Sequence, residues 1–150
     1  MRSPAVLLAA LAVLAGTGML AACQPDSPTG GIAVQDPWIR AVPPSASATA
    51  GYFVLENGSG EDLVLEAVTA AGIRRAEIHE TTMADGVMRM RRLDSVTIPA
   101  GETAAFAPGG RHLMLFADAL PAAGSAVTVE LAFADGRVLA FEAPVRRGAD

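Results

Sequence analysis

An all-β chain folded as an antiparallel β-sandwich with Greek-key links is the architecture this sequence predicts. Three observations carry it. From Trp38 onward the chain runs as short apolar or alternating segments, each of strand length. Clusters of Gly, Pro, Asn and Asp cut these runs at short intervals, where turns need them. No stretch keeps the 3.6-residue period of a long amphipathic helix. The chain has 150 residues, enough for one domain with a real core and too few for two comfortable ones.

Residues 1–23, "MRSPAVLLAALAVLAGTGMLAAC", join a basic start at Arg2 to an apolar run and small residues before Cys23. This is the pattern of a secretory signal rather than of a span kept in the mature protein. The ending "LAAC" resembles the bacterial lipobox, with Cys23 the residue that is lipidated and becomes the new N-terminus. Cys23 is the sole cysteine, so the mature domain carries neither a disulfide nor a free thiol. Thiolate zinc sites, blue-copper sites built on cysteine and thiol redox catalysis are thereby excluded. Residues 24–36, rich in Pro, Gly and Asp, read as a flexible tether with a root-mean-square reach of about 20 Å. The domain is expected over 37–147.

Within it, "GYFVLEN" (51–57), "DLVLEAVTA" (62–70), "RAEIHETTM" (75–83) and "GVMRMRRLDSV" (86–96) read as strands. So do "ETAAFA" (102–107), "RHLMLFA" (111–117), "AVTVELAFA" (126–134) and "RVLAFEAPV" (137–145), making seven or eight in all. Trp38, after Pro37, is expected to pack against the sandwich edge. Loss of the leader removes Arg2 and leaves ten arginines, no lysine and sixteen acids, a formal charge of −6. An acidic domain of this kind is a poor partner for nucleic acid.

The densest chemistry lies in "HETTMADGVMRM" (79–90) and "RHLMLF" (111–116). Asp85-Gly86 is a strong signal for a two-residue type I′ turn, which needs positive φ at both central residues. That turn pairs Ala84 with Val87, Met83 with Met88, Thr82 with Arg89 and Thr81 with Met90. Further down it pairs Glu80 with Arg91, His79 with Arg92 and Ile78 with Leu93. Glu77 would then meet Asp94, a like charge, so the pairing is expected to stop there. One face of the hairpin carries His79, Thr81, Met83, Met88, Met90 and Arg92. His79 and Met90 are diagonal neighbours, with Cβ atoms about 7 Å apart. In the second stretch, alternation puts His112, Met114 and Phe116 on one side and Leu113 and Leu115 on the other.

Methionine on a strand is usually core filler, and a lone histidine is usually a satisfied polar group. Here both histidines and all four methionines of the mature chain fall within residues 79–114. The hairpin face also holds Thr81 and Arg92, so it is not a clean core face. A metal site fits better than packing. Thioethers are soft, uncharged donors that favour Cu(I) over zinc, calcium or magnesium. They need no deprotonation, so such a site should keep its ion at mildly acidic pH until the histidines protonate.

The arrangement resembles the periplasmic copper chaperone family PCuAC. Its signature is a histidine, ten residues, a methionine, twenty-one residues and then His-x-Met; here these are His79, Met90 and His112-Leu113-Met114 without a gap. "WIRAVPP" (38–44), "GYFVLEN", "DGVMRMR" and "PGGRHLML" also resemble members, and the likeness covers nearly all of residues 36–145. The resemblance implies a cupredoxin-like, immunoglobulin-like sandwich holding one Cu(I) near its surface through His79, Met90, His112 and Met114. It further implies delivery to the copper centre of cytochrome c oxidase, directly or through an intermediary copper-transfer protein. Met83 and Met88 lie outside the signature and are candidate accessory thioethers. The lipobox departs from the commoner soluble form of the family and implies a domain tethered to a membrane outside the cytoplasm.

An enzyme is not expected. No Ser-His-Asp spacing or Gly-rich phosphate loop is present, and both histidines are committed to the metal. A copper redox protein and a metal-free scaffold or adhesion lipoprotein are the competing readings. The scaffold would bury Met90 and Met114 and turn the two imidazoles apart. Arg89, Arg91, Arg92 and Arg111 form a basic rim. With Glu80 as counter-charge it reads as a solvated face, and the other reading is a docking surface at Arg91 and Arg111. A monomer is expected.

Overall fold

The structure, a computed structural model, describes residues 31–148. The leader, Cys23 and the first part of the tether lie outside the described residues. Among those described, the chain forms strands and turns and no helix. The strands are β1 (Ile32–Arg40), β2 (Ala48–Asn57), β3 (Leu63–Ala70), β4 (Arg75–Ala84) and β5 (Val87–Leu93), followed by β6 (Val96–Ile98), β7 (Thr103–Phe106), β8 (Arg111–Phe116), β9 (Ala126–Phe133) and β10 (Val138–Arg146).

The all-β sandwich predicted from the sequence is the fold observed. The strand order is β5-β4-β8-β7-β2-β1-β10-β9-β3-β6, with β8 also paired to β2. One layer runs from β5 to β1 and the other from β10 to β6. They join where β1 and β10 run parallel, Ile39 beside Val145. That pairing and the short β7–β8 contact are parallel, and the rest are antiparallel. β2 is flanked by two strands in succession: β8 along Ala48–Gly51 and β7 along Phe53–Glu56. The inner faces supply one apolar core from Leu55, Leu63, Leu65, Leu113, Leu115 and Leu131, with Phe53 stacked on Phe106 at 4.3 Å between centroids.

Ten strands replace the seven or eight expected, for two local reasons. β1 begins at Ile32, inside the stretch read as tether, and pairs along Ile32–Gln35 with Asn57–Val54. The Asp36-Pro37 dipeptide, which looked like the end of a linker, is a bulge instead. Between Gln35 and Trp38 these two residues oppose the single residue Phe53, and Asp36 takes a φ of 46°. A proline without an N–H is accommodated at such a point in the ladder. The run 86–96 divides because Asp94-Ser95 carries the chain from the β4 side to the edge of β3, where Val96 and Ile98 enter the core. Trp38 is buried against Tyr52, 4.6 Å between ring centroids.

The entry to β1 depends on a close approach. Gly31 has a φ of 82°, and a Cβ there would lie 2.6 Å from the carbonyl oxygen of Gly58, whose N–H donates to Gly31 at 2.7 Å. Gly31→Ala is expected to lower stability by more than about 1 kcal/mol, read as a lower urea midpoint at unchanged slope.

Candidate metal centre

The β4–β5 hairpin closes as its turn residues require. Asp85 and Gly86 have φ values of 53° and 75°, and the ladder runs from Ala84–Val87 down to Ile78–Leu93, as the turn predicts. β8 docks on the other side of β4 and sets His79 opposite His112, Glu77 opposite Met114 and Ile78 opposite Leu113. Ile78, Leu113 and Leu115 point into the core. Alternation therefore sends Glu77, His79, His112 and Met114 to the outer face of this sheet.

The two imidazoles are neighbours, 5.9 Å between ring centroids. His112 is buried, with 7% of its surface exposed, and its ring lies 6.5 Å from that of Tyr52. Its Nδ1 is 3.1 Å from the Gly110 carbonyl oxygen. A carbonyl only accepts, so Nδ1 carries the hydrogen and Nε2 keeps its lone pair. His79 is held the other way round. Its Nε2 lies 2.8 Å from a carboxylate oxygen of Glu77, two residues earlier on the same face. Nε2 is then the donor, and Nδ1, buried and without a hydrogen-bond partner, presents a bare lone pair. Each ring thus has one nitrogen fixed and one left for a ligand, the arrangement by which metal-binding histidines are oriented.

Glu77 was not among the residues singled out from the sequence. Its carboxylate also lies 3.2 Å from Arg75 and 3.6 Å from Arg92. The hydrogen bond from His79 above all, with the guanidinium groups of Arg75 and Arg92, holds its carboxyl below the usual carboxylate range against the opposing effect of burial. It therefore stays an acceptor for His79. The E-x-H spacing on one strand face was the signal for it.

The thioethers are placed unequally. Met114, half-buried, is one step along β8 from His112 and diagonal to His79. Met90 pairs with Thr81 and is diagonal to His79 on the other side. Met90 and Met114 are thus at opposite corners of the cluster, two strand spacings and four residues of rise apart, about 16 Å between Cα atoms on a flat sheet. The register brings His79, His112 and Met114 together directly. For Met90 to join them, the right-handed twist of a two-stranded arm and its own flexible side chain must close that distance. Met90 is 54% exposed, and Met83 and Met88 are 65% and 64% exposed, so none of the three is core filler. Neither condition for the scaffold reading is met: Met90 is open and the imidazoles are adjacent.

Among the described residues no three His, Cys, Asp or Glu side chains group as a metal site. Glu80 accepts from Arg91 at 2.7 Å and lies 3.6 Å from Arg111, so the basic rim is internally paired at the two positions considered for docking.

Comparison with known proteins agrees with this architecture. A family model described as "Putative lipoprotein LpqE-like" matches residues 32–145. The "Putative lipoprotein Lxx21020" of Leifsonia xyli subsp. xyli is 34% identical over 124 residues, covering 81% of this chain and 74% of that protein. The copper-bound PCuAC domain from PmoF2 superposes with a TM-score of 0.67 over 83% of this chain and all of that domain; at 23% identity the likeness is one of fold. Cu(I)-bound DR1885 from Deinococcus radiodurans, 28% identical, superposes with a TM-score of 0.61 over 83% of this chain and 82% of that one.

Proposed function

The chain belongs to the LpqE-like lipoprotein family, and from that premise we propose that it is an exported Cu(I) carrier, anchored through a lipid on Cys23. In this reading His79, His112 and Met114 hold the ion, with Met90 as the fourth ligand drawn in from the hairpin. The observation that carries it is the pair of imidazoles, each with one nitrogen hydrogen-bonded and the other left to a ligand. Their separation of 5.9 Å is within the roughly 6.4 Å that a single ion can bridge, taking nitrogen–metal distances of about 2.0 Å. Thioether donors beside them select monovalent copper over zinc.

The copper-bound states of the PmoF2 domain and of DR1885 support the choice of metal. Neutral donors on an open sheet face suit an ion that is carried and surrendered rather than one that drives a reaction. The fitting recipient is the copper subunit of cytochrome c oxidase or an intermediary transfer protein, as resemblance to the PCuAC family implies, with the lipid holding the carrier beside the membrane.

The test is a Cu(I) titration of the detergent-solubilised full chain against a competing chelator, repeated with Zn(II). One tightly held Cu(I) per chain, undisturbed by zinc, is the expected result; zinc binding of equal strength would end the proposal. Glu77→Gln is expected to weaken Cu(I) binding by about 10- to 100-fold without altering this stoichiometry, because it loosens the orientation of His79. The same competition titration reads it.

A further inference from the structure

Five large apolar side chains are exposed among the described residues, and four of them, Met83, Val87, Met88 and Met90, belong to the β4–β5 hairpin. Three are thioethers on one face. The ladder explains why they can act together. The N–H of Thr81 is spent on the carbonyl of Gly110, the residue just before β8, at 3.0 Å. Odd-numbered residues of β4 therefore turn their backbone groups away from β5, and Met83–Met88 and Thr81–Met90 are non-hydrogen-bonded pairs across the hairpin. In such pairs the Cα atoms are about 4.5 Å apart and the side chains stand closest. Two unbranched thioethers rooted there can place their sulfurs about 4.6 Å apart, the span of a two-coordinate ion with metal–sulfur distances near 2.3 Å. Met90 follows Met88 by two residues on the same face, about 6.6 Å along the strand.

We propose that Met83 and Met88, at the tip of this arm, form a second and weaker soft-metal site, and that Met90 links it to His79. Cu(I) would enter or leave by the tip, held by two neutral sulfurs, and pass by ligand exchange at Met90 to the imidazoles; no electron moves and the ion keeps its charge throughout. The inference rests on the copper reading above and adds a route to it. It also accounts for exposed methionines at the tip, where packing offers them nothing.

Ag(I) is the probe, a redox-inert monovalent ion with the same preference for sulfur. Calorimetric titration of the detergent-solubilised full chain is expected to show two steps, one tight and one weaker by at least 10-fold. Methyl resonances of Met83 and Met88 should shift with the second. The double variant Met83→Leu/Met88→Leu keeps side-chain size and is expected to lose the weaker step and retain the tighter. His79→Ala/His112→Ala should do the reverse. A single step in the wild type, or a weaker step that survives the leucine variant, overturns the tip site while leaving the carrier intact. A wild type whose tight step is indifferent to loss of both histidines overturns the carrier reading itself.

Discussion

His79→Ala is expected to lower Cu(I) affinity by more than about 100-fold. The scale follows from the role assigned to the ring: residues that merely orient a metal-binding histidine are worth 10- to 100-fold, so loss of the donor itself must exceed that. The fold should tolerate the change. His79 is on the outer face of β4, while its neighbour Ile78 anchors the strand in the core. Glu77, deprived of its imidazole, still has Arg75 and Arg92 within 3.2 and 3.6 Å. A chelator competition at neutral pH, alongside a urea melt, separates lost affinity from lost structure. Met114→Ala is expected to act in the same direction and more weakly, since a half-buried thioether is one soft donor among several. Unaltered affinity in both variants would mean that copper, if bound at all, is held elsewhere.

Much of this centre was legible in the sequence because it depends on local chemistry. Asp85-Gly86 fixes the turn type, the turn type fixes the register, and the register decides which side chains share a face. The alternation in "RHLMLF" likewise separates His112 and Met114 from the two core leucines. What sequence could not supply was the neighbour relation between β4 and β8, a contact across more than thirty residues of chain that sets His79 opposite His112. Nor could periodicity identify β1, because a bulge at Asp36-Pro37 breaks its alternation and imitates a linker. Glu77 is the instructive omission. Across the hairpin it would meet only Asp94, a like charge, whereas on its own strand, two residues from His79, it accepts from the His79 ring at 2.8 Å.

The largest effect on stability away from the site is expected at Asn57, the last residue of β2. It is 1% exposed. Its side-chain amide donates to the carbonyls of Glu61, Ile98 and Pro99 at 2.7, 2.9 and 3.1 Å, and its carbonyl oxygen accepts from the N–H and hydroxyl of Ser59. One side chain thus ties the end of β2 to the loops on either side of β3 and β6. Asn57→Leu keeps the volume and removes every one of these bonds, although the Glu61 and Pro99 carbonyls keep a second donor in the Ser59 hydroxyl and the Glu102 N–H. Unsatisfied buried groups cost about 1–3 kcal/mol each, and relaxation toward solvent recovers part of that. A net loss of about 3 kcal/mol is expected, with a fall in melting temperature on the order of 10 °C. Val138→Ala, an exposed position on β10, should stay within about 0.5 kcal/mol and serves as the control. Asn57 is at the far end of β2 from Ala50, the residue paired with Met114, so the folded fraction of the variant should bind Cu(I) as the wild type does. A loss below 1 kcal/mol would show that water replaces the amide at little cost, and that the β2 end is held by its backbone bonds to Gly101 and Glu102 and its pairing with β1.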